Sequence, residues 1–454
     1  MDSTTPSPAP SRDAIRHALD QGDPAALRAL LASLHAEDVA DLIESVSPED
    51  GSQILSALKG QEAGDALAEL SDQAMEDVLE EMSTESISEA VETMAADDAA
   101  DVIGALSETQ RGAVLEDLDE PEKQLVTKLL DYGEDTAGGI MTPEVVTVPF
   151  DATAEDAIRQ LRGLQTPHDD VFVVYVIDKE GRLVGRLPLH RLVTAAKHAP
   201  VSALIQAPLV SCNVDLDQEE VAQLMARYNL VALPVVDADG RLVGRVTFDD
   251  VIDVISDEAT EDILRMAGSS SREVAERSAL RIAQVRLPWV IVGLAGGLTS
   301  GYFMSMFSGI LKLALGLAFF VPAVAALGGN IGIQSSTIVI RAMTTGDLSY
   351  SGVWRPILRE LRVGMTIGLV CGTLAASVAF LWFHDLGMGL VVGLAMLGVG
   401  CSASVIGSSL PLLLDRIGID PAVATGPFIT TANDVLGILL YFSLATILFG
   451  LVNH

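Results

Sequence analysis

From residue 287 onward the chain is dominated by five apolar stretches, at 287–307, 311–340, 357–383, 389–414 and 422–452. Each is long enough to cross a hydrocarbon core about 30 Å thick as a helix, and some have residues to spare for tilt. A chain with this patterning must satisfy two solvents. Between Arg281 and the last residue there are eight Lys/Arg and six Asp/Glu, so that part carries +2, and with a total of −34 the preceding residues carry −36. Nearly all the negative charge therefore lies outside the apolar part. Such an excess argues against nucleic acid or anionic lipid as a partner and favours cations, although a merely solubilising surface has the same composition.

Within the last apolar run stands Thr430-Thr431-Ala432-Asn433-Asp434-Val435-Leu436. A carboxylate at membrane depth is expensive unless it faces a polar cavity, a partner or an ion, so Asp434 reads as a site on a pathway for something positive. The second stretch holds Gly328-Gly329-Asn330-Ile331-Gly332-Ile333-Gln334-Ser335-Ser336-Thr337. At helical spacing Asn330, Gln334 and Thr337 share a face that needs a wet surface, while the glycines admit a neighbouring helix or a pore axis. A helix-packing motif with interhelical hydrogen bonds accounts for the same residues equally well.

The Arg-bearing segment 341–362 follows the second stretch, whereas His384-Asp385 after the third has no Lys or Arg. By the positive-inside rule the N-terminal part is cytoplasmic and the C-terminus outside, in a multi-pass plasma-membrane protein. Three scattered cysteines, Cys212, Cys371 and Cys401, make neither a disulfide framework nor a metal-ligand pair. The Ser/Thr/Pro-rich start lacks the pattern of a signal peptide and reads as a disordered lead-in.

Between residues 14 and 130 a short amphipathic unit recurs, as in Asp38-Val39-Ala40-Asp41-Leu42-Ile43 and Asp98-Ala99-Ala100-Asp101-Val102-Ile103. A period of about a dozen residues with helical apolar spacing means short helices stacked as a superhelix. A second repeat is sharper: Gly181-Arg182-Leu183-Val184-Gly185-Arg186 recurs letter for letter as Gly240-Arg241-Leu242-Val243-Gly244-Arg245. An apolar strand ending in an acidic turn precedes each copy, at 171–178 and 230–237, and a helix follows. Two small α/β modules packed on each other are expected.

With Met141-Thr142-Pro143 ahead of the first copy, the pattern resembles a pair of CBS (cystathionine-β-synthase-type) domains. Many such pairs bind adenosine nucleotides through a Thr and an Asp at the start of the final helix. The second copy has Thr247 and Asp250, but the first has Pro188 and Arg191 in those places, so ATP is a candidate ligand with one incomplete pocket. Combined with Pro322, the Gly328-Gly329-Asn330-x-Gly332-x-Gln334 motif, the Asp434 segment, the Tyr132-x-x-x-x-Ala137-Gly138-Gly139-x-Met141-Thr142-Pro143 segment and Glu258-Ala259-Thr260-Glu261-Asp262, the chain resembles the MgtE family of magnesium channels along nearly its whole length.

That resemblance implies a multidomain membrane protein in the family's order. A disordered start (1–13) leads to a superhelical all-α N domain (14–131), two CBS modules (132–200 and 201–256), a connecting helix (257–284) and a five-helix transmembrane domain (285–454). It further implies a homodimer in the lipid bilayer with a pore on its two-fold axis, Asp434 as principal Mg²⁺ ligand, and Asn330, Gln334, Thr337, Gly426, Thr430 and Asn433 as pore lining. Gly426 stands where the family often has Asn. Regulatory Mg²⁺ would bind Asp97 and Asp101 in the N domain, Asp217, Glu219, Asp250 and Asp253 in the second CBS module, and Glu258, Glu261 and Asp262 on the connecting helix. Asn229 replaces an Asp that the family can carry. The expected function is passive Mg²⁺ uptake closed by intracellular Mg²⁺, with a CBS-regulated transporter of another divalent cation such as Co²⁺ as the alternative. An anion carrier fits poorly with an intramembrane carboxylate, and an intramembrane enzyme with segments lacking paired carboxylates, a His-Glu motif or a Ser/His couple.

Overall fold

The computed structural model describes residues 12–163, 171–207, 209–270, 273, 278–344, 354–424 and 426–452. The chain divides into two compact units, Met1–Ile255 and Ser256–His454. The expected disordered start lies almost wholly outside the described residues.

In the first unit, helices of 8–11 residues follow one another from α1 (Arg12–Gln21) to α10 (Glu120–Leu130). Several begin at a Ser whose hydroxyl accepts an orphan backbone N–H: Ser47 from Asp50, Ser83 from Ser86 and Ser107 from Gln110. Each helix is too short to be stable alone, so its apolar stripe is buried against its neighbours in a continuous core that includes Ile43, Ile54, Leu67, Leu79, Ile87 and Ile103. The stacked repeat expected from the sequence is what the structure contains.

Next come β1 (Thr147–Pro149), α11 (Ala154–Arg162), β2 (Val173–Ile177), β3 (Leu183–Pro188), α12 (Leu189–Thr194) and α13 (Val201–Leu204). The second module repeats the plan with β4 (Cys212–Asn213), α14 (Gln218–Tyr228), β5 (Ala232–Val236) and β6 (Leu242–Thr247). In each, the first strand pairs parallel with the second and the second antiparallel with the third. The repeated hexapeptide opens both hairpins, with Gly181 at φ +81° and Gly240 at φ +78°, a left-handed conformation that favours glycine. Asp178 accepts from the N–H of Arg182 at 2.8 Å, and Asp237 from that of Arg241 at 2.9 Å. The two turns meet: Leu183 N–H donates to Gly240 O at 3.0 Å and Leu242 N–H to Gly181 O at 3.2 Å. The repeat thus builds the junction of the CBS pair.

Helix α15 (Phe248–Met266) follows directly. It ends in a Schellman motif, in which Ser269 N–H donates to Leu264 O at 2.9 Å around Gly268 at φ +74°.

In the second unit, five helices among the described residues are long and apolar enough to cross a membrane. They are α16 (Ala279–Met306), α18 (Val321–Thr344), α19 (Trp354–Phe383), α20 (Leu386–Arg416) and α21 (Pro427–Val452), with the short α17 (Ser308–Leu313) between the first two. The expected second span, 311–340, is therefore broken: α17 stops at Ala314, a 3₁₀ segment Leu315–Phe320 follows, and α18 begins at Val321. Ala314, at φ −136° and ψ 73°, leaves helical geometry, so the apolar run is interrupted although its hydropathy is continuous.

Helices α19 and α20 touch backbone to backbone. A Cβ added at Gly372 would lie 2.6 Å from Gly393 O, and one at Gly400 would lie 2.7 Å from Gly364 O. Toward the C-terminus α21 is fixed by side chains: Tyr441 donates to Leu317 O at 2.8 Å and Phe442 stacks on Phe307 at 5.6 Å between ring centroids.

Candidate ion pathway and acidic sites

The first turns of α21 place four polar side chains in succession, and at 100° per residue each meets something different. Thr430 donates to Gly426 O at 2.8 Å and lies against Gly329, 3.3 Å from where a Cβ there would be. Thr431 fills the space left by Gly296 of α16. Asn433 occupies a notch at Gly328 and Gly332 of α18. Asp434 is half-buried and faces a cleft of about 650 Å³. Gly426 and Thr430 line this cleft with Asp434, and Arg286 and Trp289 of α16 and Gly268 beyond α15 complete its wall.

Other expected lining residues lie elsewhere. Asn330, Gln334 and Thr337 do share one face of α18, as the spacing predicts, but that face is exposed and does not border the Asp434 cleft. Asn433, expected to line the pathway, is 2% exposed. The phase of the helix explains this: a residue next to Asp434 points about 100° away, here into α18. Gly426 permits a close approach, since a Cβ there would lie 2.9 Å from Met266 O at the end of α15.

Glu360 falls where the Arg-bearing segment 341–362 overlaps the third apolar stretch 357–383, and the structure decides between them. It is two turns into α19 and 3% exposed. Its carboxylate accepts from Ser335 Oγ at 3.1 Å and pairs with Arg359 at 3.2 Å. The spanning helices thus carry a second buried carboxylate besides Asp434. The three arginines Arg355, Arg359 and Arg362 could have signalled this, because they continue the helical register of α19 outward.

The acidic positions on α15 are engaged in part. Arg265 pairs with both Glu261 and Asp420, which precedes α21. Burial pushes Asp262 up from its ordinary range, and the charge of Asp420 adds to this. Glu258 is half-buried on the same helix.

In the first unit, α8 (Ala96–Ala105) gathers Asp97, Asp98 and Asp101 near Asp250. Burial, then the charges of Asp97 and Asp101, pushes Asp98 up to about 7; burial, then Asp97 and Asp72, pushes Asp101 up to about 7. Burial raises Asp97 as well, against a hydrogen bond from Thr142 Oγ1 at 2.5 Å, and its Oδ1 is buried with no partner among the described residues. Asp250 reaches about 6 through burial, opposed by its hydrogen bond from Thr247. Asp253 acts on Glu69, itself raised by burial first. Asp98 and Glu69 were not expected here. Asp98 belongs to the repeat that marks the helices, and the residues that crowd it lie as far along the chain as Asp250.

Asp217 and Glu219 have a different setting. Asp217 caps α14, accepting from Glu219 N–H at 2.9 Å, which gives both a local role at a helix start. Asn229 closes the same helix in the left-handed conformation, φ 50°, which suits Asn. Among the described residues no three His, Cys, Asp or Glu side chains already stand as a metal-ligand set.

This layout can be set beside known proteins. A family model described as a divalent cation transporter of the MgtE type matches residues 321–444, the MgtE intracellular N domain matches 34–135, and CBS domains match 137–198 and 201–257. The magnesium transporter MgtE of Thermus thermophilus is 38% identical over 71% of this chain and 72% of its own length. The chain belongs to the MgtE family. The Enterococcus faecalis magnesium transporter MgtE is 37% identical over 71% of each chain. Among solved structures, the cytosolic domain of the Mg²⁺ channel MgtE in complex with ATP is 36% identical, with a TM-score of 0.50 over 53% of this chain and 99% of that one. This family member is a multi-pass membrane protein with intracellular N-terminal domains, a helical repeat followed by a CBS pair.

Proposed function

We propose that the chain is a Mg²⁺ channel that mediates passive uptake and is closed by cytosolic Mg²⁺. The observation that carries this reading is Asp434 on an open cleft within a helix apolar enough to span a membrane. Mg²⁺ dehydrates reluctantly and prefers octahedral oxygen coordination, so a carboxylate with nearby hydroxyls and carbonyls can hold the hydrated ion without stripping it. Membrane potential is a sufficient drive, at about 4.6 kcal/mol per 100 mV for a divalent cation. The relatives named as magnesium transporters support the choice of ion.

A second copy is the partner this reading requires. Asn330, Gln334 and Thr337 expose polar groups from an apolar helix, and a homodimer with α18 and α21 at its axis would cover them and bring its two copies of Asp434 to one shared pathway. Five spans with cytosolic N domains put the C-terminus outside.

Closure draws on the acidic groups. Asp97, Asp101 and Asp250, with Asp98 and Glu69, repel one another when ionised, and Mg²⁺ among them would favour the compact state. Asp253, Asp217, Glu219, Glu258, Glu261 and Asp262 are further candidates, and Glu261 would first have to leave Arg265. ATP, present in the relative's cytosolic domain, would meet Thr247 and Asp250 here; that Asp also belongs to the acidic group.

The test is Mg²⁺ flux into liposomes. Asp434→Ala should abolish it while the protein remains folded; wild-type flux in that variant would remove Asp434 from the pathway. Preference for Co²⁺ over Mg²⁺ in the same assay would favour the alternative cargo.

A further inference from the structure

Asn433 is 2% exposed, yet neither its Oδ1 nor its Nδ2 has a hydrogen-bond partner among the described residues. A buried carboxamide left in this way is destabilising, and a Leu of similar size would not be. Its surroundings are also unusual. Asn433 and Thr430 run against Gly328, Gly329 and Gly332, a face of α18 with no side chains to interlock with α21. Beyond Gly437, by contrast, α21 is pinned by Tyr441 to Leu317 and by Phe442 to Phe307. On the other side of the notch α18 is itself fixed, because a Cβ at Gly407 of α20 would lie 3.0 Å from the Cα of Gly332. Both halves of α21 are packed, the first by Thr431 in the space at Gly296 and by Phe428 edge-on to Trp289 at 6.0 Å, but against α18 the half carrying Asp434 meets three glycines where the other half meets side chains.

We propose that Asn433 is a positioning residue for Asp434: it sets the rotation of the first half of α21 against α18, and its carboxamide gains partners only in a second setting that turns Asp434 out of the cleft. The inference rests on the reading of that cleft as the ion pathway. A helix that turns by one residue's angle, about 100°, carries each side chain into the direction its neighbour held, so the wet face receives the amide as the carboxylate moves on to the direction of residue 435. The unsatisfied amide then narrows the free-energy gap between the two settings, and a small ligand bias suffices to move the population.

Two arms test this in the full chain, reconstituted in liposomes with Mg²⁺ varied on the cytosolic side. In the first, Asn433→Leu should raise the thermal midpoint and shift the half-closing Mg²⁺ concentration by about tenfold or abolish closing, a factor equal to 1.4 kcal/mol. A side chain that only fills space would leave closing unchanged, and that result overturns the proposal whatever the midpoint does. Should the variant fail to fold, the second arm decides. Gly329→Cys with Thr430→Cys, in a background without the native cysteines, should form a bridge that abolishes the Mg²⁺ response reversibly under reductant. Closure that persists with the bridge formed, or a bridge that cannot form, overturns it. Asp434→Ala in parallel separates the two readings, because retained flux there rejects the pathway itself, whereas lost flux with normal Asn433→Leu closing rejects only the positioning role.

Discussion

The carboxamide of Asn433 rests in the space that a side chain on Gly332 would fill, so that a methyl group there would also come within 2.7 Å of Ile429 Cγ2. Gly332→Ala is thus an overpacking change where α18 meets α21, the helix that carries Asp434 to the candidate pathway. It should destabilise the membrane unit by about 1–3 kcal/mol, read as a lowered thermal midpoint in detergent. Asn433→Ala, which empties the same space, should recover part of that loss in the double variant, and strict additivity would show that the two residues do not meet.

Acidity should stabilise the first unit. Asp98 and Asp101 are pushed up to about 7 and Asp250 to about 6, from an ordinary value of 3.8. Between roughly pH 4 and 7 the folded state holds protons that the unfolded state has released, so stability from this group is greatest below about 4 and is lost as pH rises through 7. The protection of α8 against hydrogen exchange in the whole protein, without divalent cations and relative to the intrinsic base-catalysed rate at each pH, should therefore be greater at pH 5.5 than at pH 7.5.

If Mg²⁺ competes for these carboxylates, its binding must displace those protons. Addition of Mg²⁺ in weak buffer near pH 6.5 should acidify the solution, and Asp98→Asn with Asp101→Asn should reduce the release. Equal proton release from that double variant would separate the group from the ion.

The end of α15 is held by Arg265 between Glu261 and Asp420. Arg265→Gln should loosen this end, seen as faster proteolysis around residue 268 and as weaker closure by Mg²⁺. Asp420→Asn should act in the same direction. Since partly exposed ion pairs contribute at most about 1 kcal/mol each, loss of folding in either variant is not expected.

Gly426→Asn should displace Met266, because a Cβ at 426 would lie only 2.9 Å from its carbonyl oxygen. A cross-link or fluorescence distance between α15 and α21 should lengthen; an unchanged distance would mean that the backbone yields instead.

Much of this fold is legible in the sequence because its signals are local. The hexapeptide repeat announces both hairpins, since its glycines adopt a conformation that other residues resist. The five spans follow from length and hydropathy, although hydropathy is blind to the backbone break at Ala314. Periodicity correctly put Asn330, Gln334 and Thr337 on one face. What it cannot supply is absolute phase, the direction in which a face points: the family resemblance implied Asn433 on the pathway beside Asp434, and the structure buries it against α18. Glu360 is marked by Arg355, Arg359 and Arg362, whose spacing continues the helix, but its burial against Ser335 of α18 is a contact no local pattern carries. Asp98 and Glu69 depend on helices brought together from distant parts of the chain, a relationship no single window contains.

Joined by His384 and Asp385 alone, α19 and α20 close upon each other with glycine against backbone, and such a hairpin can form as soon as both have entered the bilayer. Helices α18 and α21 are separated by that whole hairpin, so the walls on either side of Asn433 come together only after the last span has been synthesised. Chains truncated before α21 should therefore form the α19–α20 hairpin yet hold no conduit, because one wall of the pathway arrives last.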